Sequence, residues 1–427
     1  MLRKLAYISI VASLLGANLI SVGIAGFRLS LFRIVVIVIL ITVIAFAFLK
    51  NGNVRLPECI IKSYSVQFMM IWLFYAVCSV LWVKDDMSWL KAVFFIATGV
   101  ICVVLFSSVF RSLKDFKPVI LVFAFMLVFH VLVAIFEQIT GIYPLTSDQN
   151  NKFIRLGLPL TTFRNTNDFA TFITLVVFIL YTAVAISGKK IVKVLGSLVA
   201  LCCVWLVLVT DSRANIIGLI LGTSFLLFTS IPNNKAKKYV ISVLSFLWVI
   251  IIFSTDVIEK ISIIVISIVK FEFSSGSSSD SIRINLLKNG LEFMIKTWGL
   301  GTGAGNVEYW VANEAIYDTG SIMNMHNWWM EIFTGFGILI FVLYLLFFMK
   351  MFADFYLVQR DSKRSDERII ARGFLCFMAA FIISSISSST LINVEWLWVF
   401  WAVAIAFQFN VIERGKRDED PSHQLIL

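Results

Sequence analysis

The chain has 427 residues, 59% of them hydrophobic and only 15% charged, with a mean hydropathy of +0.92. A soluble globular domain carries roughly 25% charged residues, so that class is excluded. The formal charge of +10 would suggest nucleic acid in a soluble protein; here it reads as topogenic lysine and arginine, and no nucleic-acid partner is expected.

In chain order, apolar runs long enough to cross a hydrocarbon layer of roughly 30 Å predict spans at 5–25, 33–50, 64–83, 92–110, 118–139, 168–187, 193–210, 214–231, 239–255, 328–349, 373–391 and 395–410. Backbone facing lipid must be hydrogen-bonded within its own segment, so the spans are helices. The expected fold is an all-α polytopic membrane protein of about twelve transmembrane helices, residues 1–427 forming one membrane domain. A large extracytoplasmic loop, 256–327, falls between helices nine and ten. Arg3 and Lys4 precede the first run, but 18–27 lacks a small-residue cleavage site, so no cleavable signal is expected.

With the amino terminus in the cytoplasm, the dense basic clusters fall inside: Lys50 to Lys62, Arg111 to Lys117, Lys189 to Lys193, Lys235 to Lys238, Lys350 to Arg372 and the tail. Together with Arg3 and Lys4 these hold 23 of the 36 basic residues, which the positive-inside rule favours. Both termini are then cytoplasmic. Arg28, Arg33, Lys84, Lys91, Lys152, Arg155, Arg164, Arg213 and five cations in the long loop remain outside, where topology does not require them.

The interval from Asp256 to Gly337 is the one long polar stretch. Residues 257–270 are apolar and too short to span, an interfacial or re-entrant run. Residues 273–281 are serine-rich and read as a flexible joint. Asp280 or Ser281 can cap a helix running to about Trp298. On it Lys288, Glu292 and Lys296 share a face that reads as solvated and ion-paired; Arg283 lies opposite, with Leu287, Gly290 and Met294. Gly299, Gly301, Gly303 and Gly305 then alternate through a turn that no regular helix would keep.

Three arginines stand at the outer ends of separate spans. Arg283 is either a buried strut to a carboxylate or an anion clamp, since guanidinium binds phosphate bidentately. Arg213 either pairs with Asp211 or joins that clamp. Arg164 precedes a helix that Asn165, Asn167 or Asp168 can cap. Of the three histidines, His423 lies in a polar tail and His130 mid-span, where a satisfied polar contact is the plainer reading. His326 stands at the water–membrane boundary and can take a proton from a hydroxyl near neutral pH.

Asn327 and Trp328 follow, the tryptophan an interfacial anchor or a stacking surface for sugar. Glu331 orients His326 or caps its helix. Glu137 and Glu395, near span ends, are intramembrane acids with either a functional or a solvated role. The six cysteines lie in or beside apolar runs, so neither a disulfide framework nor a zinc cluster is indicated. No phosphate-binding loop, metal-ligand spacing or nucleophile elbow is found, so no metal or cofactor is expected.

Phe163-Arg164-Asn165-Thr166-Asn167, Ser212-Arg213-Ala214, Ile282-Arg283 with Trp298 to Gly303, and His326-Asn327 with Gly335 and Gly337 occur in an order that resembles the O-antigen ligase and polymerase superfamily of bacterial membrane glycosyltransferases. The Asn-Trp-Trp-Met-Glu-Ile phrase is most similar to its teichuronic acid biosynthesis branch. Arg164 stands where many members carry a small residue.

The resemblance implies a GT-C-like fold and a metal-independent glycosyl transfer outside the cytoplasmic membrane, from a glycan on undecaprenyl diphosphate. By that likeness Arg213 and Arg283, with Arg164, hold the diphosphate, and His326 acts on the acceptor hydroxyl. Asn327, Trp328, Glu331 and Glu137 are expected in supporting or acceptor-binding roles. Flippase and chain-length regulator proteins are implied partners. A polymerase of repeat units is the preferred reading and a ligase of finished glycan its near variant. A lipid-linked glycan transporter is the reading from another class; it predicts midplane charges and repeated halves, and no repeat is visible.

Overall fold

The computed structural model describes residues 2–16, 19–24, 27–49, 57–146, 150–231, 279–388 and 390–413, with isolated positions between 234 and 243. The helices in chain order are α1 (Leu2–Leu15), α2 (Leu31–Leu49), α3 (Glu58–Lys62), α4 (Tyr64–Cys78), α5 (Asp86–Val109), α6 (Leu113–Thr140), α7 (Lys152–Arg155), α8 (Thr166–Ser187), α9 (Lys190–Val209) and α10 (Arg213–Ser230). They continue as α11 (Ser279–Lys296), α12 (Val307–Glu314), α13 (Trp328–Asp361), α14 (Ser365–Ser384) and α15 (Glu395–Phe407). Among the described residues eight helices are long and apolar enough to cross a membrane. The chain is an all-α polytopic membrane protein. Of the predicted span 239–255 only Tyr239, Ile241 and Val243 are described, and the interfacial run 257–270 lies outside the described residues.

The core is organised around α15, every residue of which is buried. It packs on α5, while α14 packs on α8, α10 and α13. Aromatic rings fill the contacts: Trp72 of α4 meets Trp328, Phe336 and Tyr344 of α13 and Trp398 of α15. Such ring pairs, three of the four edge-on, contribute about 0.5–1.5 kcal/mol each beyond burial. In a bilayer, where lipid competes for apolar contact, this tight packing is what favours one helix arrangement.

Several boundaries differ from the apolar pattern. The first helix ends at Leu15 rather than near residue 25. A hairpin follows, Ser21–Ile24 paired antiparallel with Phe27–Ser30. Gly16, at φ +85°, turns the chain where its Cα abuts Thr162. The span expected at 373–391 begins at Ser365 and ends at Ser384, freeing the segment after it to shape a cavity. The helix expected to start after Asp280 or Ser281 already includes both residues. Lys288 is no solvated residue: it is 3% exposed, its ammonium 5.1 Å from the Tyr317 ring centre. Lys296 does stay outside, 3.7 Å from Glu314.

The helix beginning at Trp328 breaks at Gly337, whose φ of 79° and ψ of 177° are not helical. A break leaves carbonyls without partners. Here the glycine loop supplies them: Thr302 N donates to Thr334 O at 2.8 Å and Gly303 N to Gly335 O at 3.0 Å. Ile338 N returns the bond to Gly299 O at 3.0 Å. The two backbones are so close that a Cβ on Gly337 would lie 2.4 Å from Gly299 O, and one on Gly301 2.5 Å from Gly337 N. Tyr75 and Trp82 fix the loop from outside, donating to Leu300 O and Gly301 O. The glycine alternation is therefore a clamp that closes the end of a broken helix.

Candidate functional site

The residues before α13 set the position of His326. Asn327 caps the helix, its side-chain oxygen accepting from Trp329 N at 3.1 Å and Met330 N at 3.3 Å. Trp328 N donates to Ser385 O at 3.0 Å, tying the helix start to the turn after α14. His326 then takes a left-handed conformation, φ 46°, rare for a side chain with a Cβ. Such residues cost of order 1–3 kcal/mol and persist where their surroundings impose them.

The half-buried imidazole faces a cavity of about 630 Å³. Its walls come from α7 (Lys152), the turn before α8 (Thr162 to Asn165), the start of α11 (Arg283), His326 itself, and the segment from Thr390 to Trp396. Three cations, Lys152, Arg164 and Arg283, thus meet one imidazole although they are far apart in the chain. The His326 pKa is lowered to about 4: burial is the larger cause, Arg283 and Lys152 add to it, and a hydrogen bond to the Ser388 backbone opposes it. The ring is neutral at pH 7. With one ring nitrogen tied to the backbone, the other carries the lone pair that a base needs.

Second-layer contacts hold the wall that presents Arg164. Glu137 is buried and accepts from Leu160 N at 2.9 Å and Thr161 N at 3.0 Å. His130 bonds Thr161 Oγ1 at 3.0 Å and Leu14 O at 2.8 Å. Glu137 holds the backbone of that turn and His130 holds the Thr161 side chain against the first helix, and the described contacts give neither an open face to the cavity. Arg164 is exposed, and its carbonyl accepts from Asn151. Asn165 caps α8 by accepting from Asn167 N.

The cavity lining does not include Arg213. That residue opens α10 and is exposed, at one remove from the site. Ser212 and Asn215, beside it, reach Ser387, next to the Ser388 that His326 contacts. Trp328 is only 3% exposed, its indole donating to Tyr344 at 2.8 Å, so it is neither interfacial nor open for stacking. Glu331 does not cap the helix; its carboxylate accepts from Thr390 Oγ1 and from Leu391 N at 3.2 Å, which pins the cavity wall. Glu395 is not solvated: it is 5% exposed and accepts from Ser30 Oγ, with Arg33 Nε at 3.1 Å.

Residues 198–345 match the O-antigen ligase family model. The matched stretch is similar to an O-antigen ligase domain. It holds Arg213, Arg283 and His326, whereas Lys152, Arg164 and the Thr390–Trp396 wall come from either side of it. Over 360 residues the chain is 27% identical to the teichuronic acid biosynthesis protein TuaE of Bacillus subtilis (strain 168), covering 84% of this chain and 74% of that protein. The domain and this relative support a membrane enzyme of the glycan polymerase or ligase kind.

Lys152 and the Thr390–Asn393 wall were not singled out from the sequence. Lys152 carried one signal, a cation on the outer side with no topological reason to be there. The wall carried none, because its residues sit at the end of one apolar span and in the short connection to the next.

Proposed function

We propose that this protein is a polymerase that joins repeat units carried on undecaprenyl diphosphate, at the outer face of the cytoplasmic membrane, with both termini inside. The observation that carries the reading is the single cavity shared by Arg164, Arg283, Lys152 and His326. In this reading a hydroxyl of one repeat unit attacks the anomeric carbon of another. A new glycosidic C–O bond forms while the bond from that carbon to the diphosphate oxygen breaks. The hydroxyl proton passes to the free nitrogen of His326 and then to water.

Undecaprenyl diphosphate departs with its negative charge facing Arg283, Arg164 and Lys152. Fixed cations aimed at developing charge in a site of low dielectric are the largest single source of rate enhancement in many enzymes. The lowered pKa of His326 keeps the ring unprotonated in the resting enzyme, the form a base needs, while weakening its proton affinity. A site at the boundary of water and membrane suits a donor whose sugar is soluble and whose tail is not.

The test is made in cells. His326→Ala and Arg283→Ala are expected to accumulate single lipid-linked repeat units. Accumulation of long lipid-linked chains would assign a ligase instead. Normal polymer in both variants would overturn the site.

A further inference from the structure

A second cavity adjoins the first. It has a volume of about 240 Å³ and is lined by Lys91, Glu308, Asn324, Glu331, Thr390 and Asn393 among others. Thr390 and Asn393 line both cavities. Asn324 and Met325 face the second, and the next residue, His326, faces the first. A group seated in the second cavity therefore lies just across Thr390 from the imidazole.

The two linings differ in charge. The first gathers three cations against Asp168 and a Glu395 already paired with Arg33; the second gathers Glu308 and Glu331 against Lys91 alone. A net acidic lining disfavours a phosphate. The oxygen Oδ1 of Asn324 is buried and accepts no hydrogen bond from the described residues. A buried acceptor without a donor is costly, and a hydroxyl seated in the cavity can supply one. A phosphate at neutral pH has acceptor oxygens to offer; a hydroxyl can donate. On size, a cavity of about 150 Å³ admits a benzene ring, so this one admits a six-membered ring bearing hydroxyls.

We propose that this second cavity binds the terminal sugar ring of the acceptor glycan through its hydroxyls and points one of them at His326. The inference rests on the polymerase reading of the first cavity. The division of labour follows from charge: the diphosphate is drawn to the cationic side and excluded from the acidic side, so donor and acceptor cannot exchange places.

The test uses full-length protein in lipid nanodiscs. The donor is the lipid-diphosphate-linked repeat unit; the varied acceptor is the free repeat-unit oligosaccharide, released from its lipid by mild acid. Asn324→Ala is expected to raise the acceptor KM about tenfold, the size of one lost hydrogen bond at a buried site, and to leave the donor KM within about twofold. Asn324→Asp, which keeps an acceptor oxygen, is expected to recover most of the loss. Glu308→Gln, at the exposed mouth, is expected to raise the acceptor KM by a smaller factor, and provides a second reading if Asn324→Ala fails to fold.

An unmoved acceptor KM in the folded variants, an equal rise in the donor KM, or a wild type that extends lipid-linked repeats but never the free oligosaccharide would overturn the inference. Transfer by His326→Ala at the wild-type rate would instead sink the polymerase reading itself.

Discussion

His130 and His326 stand in two regions built on opposite principles. Both ring nitrogens of His130 are engaged, by Thr161 and the Leu14 carbonyl, and Glu137 takes two amides of the same turn. Around His326 the groups are left waiting, with cations on one side and an unanswered amide oxygen on the other. Both imidazoles are buried at least in part, so burial alone does not separate structure from chemistry. What separates them is whether the hydrogen-bonding capacity is used up inside the protein. The first region shapes a wall, and the second presents groups to a ligand.

Substitutions can break that comparison. The largest effect is expected at His326→Ala, a loss of about 10²–10⁴-fold in transfer rate with the thermal midpoint nearly unchanged, checked by lipid-linked glycan turnover beside a melting curve. Arg283→Ala comes next, with a loss of about 10²-fold or more, the scale of one electrostatic contact to the leaving group. It also shifts the pH profile. Arg283 lowers the His326 pKa, so its removal raises that pKa from about 4 toward the ordinary value. The base form is the working form; the wild-type rate should hold from pH 8 down to about 5, and the acid limb should move upward in the variant.

At His130→Ala the outcome should be reversed: stability falls by about 1–3 kcal/mol because Thr161 Oγ1 and Leu14 O lose their partner, while the rate per folded molecule changes little. The smallest effect is expected at Arg213→Ala, under about tenfold in rate, because that guanidinium starts its helix outside the cavity lining. A loss there as large as at Arg283 would mean that the diphosphate sits elsewhere.

Much of the fold was legible because apolar runs of membrane length admit only helices. The ends were less so. The pattern carried the first span past Gly16, where the chain in fact turns into a hairpin, and it hid the wall from Ser385 to Leu391 inside an expected span. Hydropathy reports what a segment is made of and not what it packs against. The same limit explains Lys288, which lies on a polar stripe yet is covered by the loop that holds Tyr317.

At the site, Arg283 and Arg164 were legible as charges with no topological task, and His326 as an imidazole at the water–membrane boundary. Glu331 and Trp328 were legible as unusual residues, but their partners, Thr390 and Tyr344, come from positions that no local spacing connects. The break at Gly337 was foreshadowed only by glycines whose purpose needed the opposite strand of the clamp to be seen.

The most direct measurement is the position of the diphosphate in a cryo-electron microscopy structure of the protein bound to undecaprenyl diphosphate. The account predicts both phosphates within hydrogen-bonding distance of Arg283 and at least one of Arg164 and Lys152, with His326 beside the bond that breaks. Phosphates lodged at Arg213, or in the acidic cavity of Glu308 and Glu331, would contradict it.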